Sequence, residues 1–134
     1  MKYRTCAPGE AGKRLSAARK FLEVAETYID DKDPDGRRVA VSNAVHAGIA
    51  ASDAMCCARL GRHAVGDDHR AAIELVRGIG PTGAEAAKAL TALLSTKNKA
   101  QYQTSAIGKA DATAAVRRAQ SLVATAERLL LSST

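Results

Sequence analysis

Asn43, His46 and Asp53 are the residues whose types and spacing first invite a chemical reading. They lie in "SNAVHAGIAASDAMCC", residues 42–57, a stretch otherwise small and apolar. On a helix, positions 46 and 53 return to nearly the same face, and position 43 lies one turn before. The polar atoms therefore form a stripe. A stripe of this kind can line a groove and touch a ligand. It can equally be a polar seam, because a buried carboxylate without a partner is costly. A neighbouring helix, a second subunit and a ligand are the three candidates to satisfy it.

Other chemistries fit less well. Ser42 and His46 share a helix, but an i, i+4 pair offers no oxyanion hole. Cys56, Cys57, His63 and His69, with Asp67 and Asp68, lie within fourteen residues. Adjacent cysteines rarely share one tetrahedral ion, and no C-x-x-C pair is present, so no metal and no cofactor are expected. "GIGPTG", residues 78–83, satisfies G-x-G-x-x-G but follows a helical segment instead of a strand. It reads as a helix-helix turn rather than a dinucleotide loop.

The elements that position these residues follow from composition and periodicity. The 134 residues are 46% hydrophobic but only 3% aromatic, so the core must be built from Ala, Leu, Val and Ile. That composition favours helices in close contact. Five helical segments can be placed. Leu15, Ala18, Leu22, Ala25 and Ile29 mark the first. The second runs from about Asp35 to Leu60, with Asp33 as N-cap and Gly61 as stop. A short third follows Asp67 or Asp68. In the fourth, Thr82 and Glu85 fit a capping box. The last, from Asp111, keeps helical spacing through Leu130. No strand is expected. The fold class is all-α: a single domain over 1–134, core about 10–131, forming an antiparallel bundle of four longer helices and one short one.

The net charge of +6 permits an RNA, DNA or acidic protein partner. Three cysteines, two of them adjacent, suggest no disulfide framework. A reducing compartment fits that count. The start lacks an apolar signal region, and no run reaches transmembrane length, so a cytoplasmic protein without membrane contact is expected.

"SNAVHAGIAASDAMCCARLG", "GDDHRAAIEL", "LLSTKNKAQYQ" and the long Ala-Leu helix from Asp111, in that order, resemble the HEPN superfamily of small all-α domains. The resemblance implies a bundle that usually pairs into a homodimer. It also implies ribonuclease toxins, or partners of nucleotidyltransferases or antitoxins, with RNA as the target. Active members use R-x(4–6)-H near the start of a late helix, the cation for phosphate and the imidazole for proton transfer. Here Lys97 and Tyr102 stand at those two places. Lysine neutralises phosphate without a bidentate fork, and tyrosine is a poor proton acceptor at neutral pH. Arg62 and His69 fit R-x(6)-H literally, but at the junction of the second and third helices. The expectation is a non-catalytic or degenerate binding or partner module. The alternatives are a metal-independent ribonuclease using Arg62 and His69, and a small-ligand or nucleotide sensor using Asn43, His46 and Asp53.

Overall fold

The computed structural model describes residues 2–66, 69–102 and 107–132, with side chains from 99 to 102 left out. The elements in order are β1 (Tyr3–Thr5), α1 (Glu10–Tyr28), α2 (Pro34–Leu60), β2 (Arg62–Ala64), α3 (His69–Arg77), α4 (Pro81–Tyr102) and α5 (Lys109–Leu131). This is an all-α bundle with four longer helices and the short α3. The expectation of no strand is corrected: β1 and β2 pair antiparallel, with Tyr3 opposite Ala64, Arg4 opposite His63 and Thr5 opposite Arg62. Strands of three residues are too short to show a period of two in the sequence.

The helix α2 is central and touches each of the other four helices. Asp33 caps its N-terminus by accepting from the Asp35 backbone N–H at 3.0 Å, and Pro34 occupies the first turn. Gly61 ends it in a left-handed conformation (φ 73°), its N–H donating to the Cys57 carbonyl. Between those ends Ala40, Ala44, Ala47, Ala51 and Ala54 are fully buried. Alanine lets the neighbouring helices come close. At Gly48 even a methyl group would collide with Leu93 of α4 and crowd Leu122 of α5. Arg37 ties the start of α2 to the rest by donating to the carbonyls of Ile107, Asp31 and Lys32.

The segment 78–83 is the turn between α3 and α4. Gly80 takes a positive φ of 119°. A side chain at Gly83 would meet the Val76 carbonyl, so glycine lets the first turn of α4 rest on the last turn of α3. The capping box expected at Thr82 and Glu85 does not form: α4 starts at Pro81, and Ala84 N–H donates to the Gly80 carbonyl at 2.8 Å. Thr82 therefore sits inside the first turn. The capping expected of Asp67 or Asp68 falls outside the described residues. Among the described residues no helix is long and apolar enough to cross a membrane.

Candidate functional site

The helices α1 and α2 run antiparallel, and two contacts fix their register. Arg14 meets Asp53, and Phe21 meets His46, seven residues along each helix in opposite directions. His46 and Asp53 thus both face α1, but their surroundings differ. Asp53 is 8% exposed, and its Oδ2 accepts from Arg14 Nη1 at 3.2 Å. His46 is exposed, its ring 5.2 Å from that of Phe21. Asn43 turns back on its own helix and donates to the Val39 carbonyl at 2.9 Å. Asn43, His46 and Asp53 share a helix edge and do not converge on one point.

Arg14 is the hub of a charged cluster. Its Nε and Nη2 lie 2.7 and 2.6 Å from Glu10 Oε2, and its Nη2 lies 3.0 Å from His63 Nε2. Glu10 Oε2 is also 3.1 Å from His63 Nε2. His63 reaches this point because strand alternation turns it inward, to 4% exposure, while its neighbours face the other way. Its Nδ1 donates to the Ala64 carbonyl at 2.8 Å. A neutral His63 ring consequently accepts from Arg14 through Nε2, and a protonated one donates to Glu10.

The electrostatics follow the burial. Desolvation pushes the Asp53 carboxyl up to about 6, against the opposing pull of Arg14 and His63. The Ala7 backbone N–H and then the Arg14 guanidinium hold Glu10 below the ordinary carboxylate range. Burial, with Asp53 nearby, drives the Cys56 thiol up to about 12, so this cysteine is an inert core residue.

The reading of the cysteines is corrected. Cys6 and Cys57 form a disulfide that joins the chain just after β1 to the last turn of α2. The pairing escaped the cysteine count because 51 residues separate the partners, and only the β1–β2 ladder brings them together. The count therefore gives no support to a reducing compartment.

The ribonuclease candidates are divided. Arg62 lies over the Tyr3 ring, 4.7 Å from its centroid, on the opposite face of the strand from His63. His69 opens α3 and lines a groove of about 360 Å³ between α3 and α4, with Arg70, Thr91, Ser95, Lys97 and Asn98. Lys97, expected as the relic of a motif, thus shares a groove with His69. Tyr102 ends α4, and its side chain lies outside the described residues. A second groove of about 330 Å³, between α4 and α5, mixes Glu85 with Lys88 and Arg118.

No family model and no curated protein matches the chain.

Sequence spacing missed Glu10 and Arg14, and met His63 only beside Cys56, Cys57 and His69, in a metal reading that it set aside. Glu10 and Arg14 carry a local signal, an acid four residues before an arginine at a helix start. Nothing in the spacing joins His63 to Glu10 and Arg14, because that contact depends on a strand too short to recognise.

Proposed function

We propose that the chain is a HEPN-like binding module that takes the phosphate backbone of RNA along the α3–α4 groove. The observation that carries this reading is the lining of that groove. His69, Arg70 and Lys97 stand with the Ser95 hydroxyl and the Asn98 amide, while Thr91 donates its hydroxyl to the Ala87 carbonyl, and none of the described lining residues is an acid. Cations and neutral donors in a row suit phosphate oxygens. The scarcity of aromatic residues argues against base stacking, so the contact is with backbone and tolerant of sequence. As a partner module it would work as a homodimer, with a nucleotidyltransferase or antitoxin as its protein partner.

Binding is preferred over cleavage because Arg62 is engaged by Tyr3 instead of lining the groove. The ribonuclease reading keeps one specific support: an imidazole and a lysine share the same groove. A sensor built on Asn43, His46 and Asp53 has less, since the three do not converge.

The test is a labelled single-stranded RNA mixed with the purified protein, read by anisotropy and on a denaturing gel. Salt-dependent binding without cleavage is expected. Cleavage that disappears in His69→Ala would replace this reading with the ribonuclease. Absence of binding at low salt would overturn both. Light scattering checks the dimer, and a monomer mass at micromolar concentration contradicts it.

A further inference from the structure

We infer that Cys6, Cys57, His63 and Glu10 form a redox-gated site for a thiophilic divalent cation such as zinc. The inference is independent of RNA binding and concerns the C-terminal end of α2. The ligand atoms of Cys6, Glu10 and His63 already lie within 4.8 Å of one another. In a tetrahedral zinc site, bond lengths of about 2.0–2.3 Å put ligand atoms roughly 3.3–3.8 Å apart. Closing the gap takes a shift of about an ångström, within reach of side-chain rotation. Cys57 supplies the second sulfur, tethered to Cys6 with a Cα–Cα separation of 5.6 Å. Two thiolates, an imidazole and a carboxylate make a complete four-ligand set for zinc.

His63 is independently prepared for this role. Metal-ligating histidines donate their second ring N–H to a carbonyl or carboxylate, which fixes the tautomer and aims the other nitrogen. His63 Nδ1 does this at the Ala64 carbonyl, leaving Nε2 directed at Glu10. Arg14 Nη2 now faces that nitrogen, and metal entry turns the guanidinium toward Asp53, its partner through Nη1. Two thiolates, one carboxylate and a dication carry one net negative charge. A neighbouring Arg14 balances it.

The disulfide is the gate, because bonded sulfurs cannot serve as thiolate ligands. A dithiol donates two electrons and two protons, becomes a disulfide itself, and leaves Cys6 and Cys57 as thiols. The cation then displaces two protons as two metal–sulfur bonds form. In the reverse step the two thiolates pass two electrons to an external disulfide, which takes up two protons and leaves as two thiols; the Cys6–Cys57 bond re-forms and the metal is released. Metal binding to the reduced form alone pulls the thiol–disulfide balance toward thiol, in proportion to metal concentration over its Kd.

The experiment uses the full chain, reduced by a phosphine and desalted without oxygen. It is titrated with Co²⁺ and then with Zn²⁺. The reduced protein is expected to bind a single equivalent of Co²⁺, with thiolate charge-transfer absorption and tetrahedral d–d bands that Zn²⁺ bleaches. The disulfide form is expected to show neither. Glu10→Gln and His63→Ala should each weaken Zn²⁺ at least as much as the roughly 10–100-fold loss seen for outer-shell partners. Cys56→Ser should leave the spectrum unchanged. Glu10 is only partly covered, so its variant keeps the test alive if His63→Ala fails to fold. Absent bands in the reduced protein would overturn the inference. So would equal binding by the disulfide form, unchanged affinity in Glu10→Gln, or bands lost in Cys56→Ser.

Discussion

The Arg14 cluster and the α3–α4 groove use similar residues to opposite ends. Each gathers a histidine and an arginine. In the cluster, two carboxylates, Glu10 and Asp53, surround one guanidinium, and the disulfide lies beside them. In the groove, the described lining holds His69, Arg70 and Lys97 and no carboxylate. Counter-charge within bonding distance makes the first a fastening. A lining of cations and hydroxyls makes the second suited to an anion from outside. Residue type alone does not separate a structural ion network from a groove lining; the surroundings of each side chain do.

The comparison breaks most readily at the disulfide. Reduction, or Cys6→Ser, is expected to lower stability by about 2–5 kcal/mol, the usual range for removing such a cross-link. Urea unfolding with and without reductant measures it, in metal-free buffer. RNA binding below the transition should be unchanged.

Arg14→Met comes next. It strands a mostly buried carboxylate and should cost about 3 kcal/mol, the lower end for breaking a buried pair, because the Arg14 side chain is 30% exposed. The loss should depend on pH. Asp53, raised from 3.8 to about 6, holds its proton more tightly in the fold than in the unfolded chain. Its contribution to stability therefore falls as pH rises between those values. Without Arg14 the carboxyl moves higher still, so the defect is greatest in neutral solution and shrinks on acidification. Glu10 runs the other way: its lowered pKa gives stability that acid removes. Melting curves of variant and wild type at about pH 5 and pH 8 give the sign. A defect that grows in acid would show that Asp53 is not the partner that matters.

Gly48→Ala tests the core shared by both regions. Its methyl would collide with Leu93 and crowd Leu122, for about 1–3 kcal/mol of overpacking. An unchanged melting temperature would mean that α4 is not held as tightly against α2 as described.

The smallest stability effect belongs to the groove. Lys97→Ala should change stability by less than about 0.5 kcal/mol, as surface substitutions do. Its effect should appear in RNA affinity, with the salt slope reduced by about 0.7 for one lost contact to a single strand.

Much of the fold was legible in the sequence, for a physical reason. Periodicity over long Ala- and Leu-rich stretches reports burial directly, so α2 and α5 were readable nearly end to end. Asp33 and Gly61 marked the limits of α2 through capping chemistry that is local. What stayed hidden depends on long-range pairing. His63 and Cys6 acquire their roles only when β1 returns to β2, and three-residue strands leave no pattern. The 43–46–53 stripe was legible as one aligned face of α2. That Asp53 is sealed while His46 is open was not, because β2 and the Arg14 cluster cover only one end of that seam.

The most direct test sets Arg14→Met beside Lys97→Ala, measuring the affinity of each for the same single-stranded RNA below its melting temperature. The account predicts that Arg14→Met melts early yet binds like wild type, while Lys97→Ala melts like wild type and binds more weakly. Weakened binding in folded Arg14→Met together with unchanged binding in Lys97→Ala would contradict it.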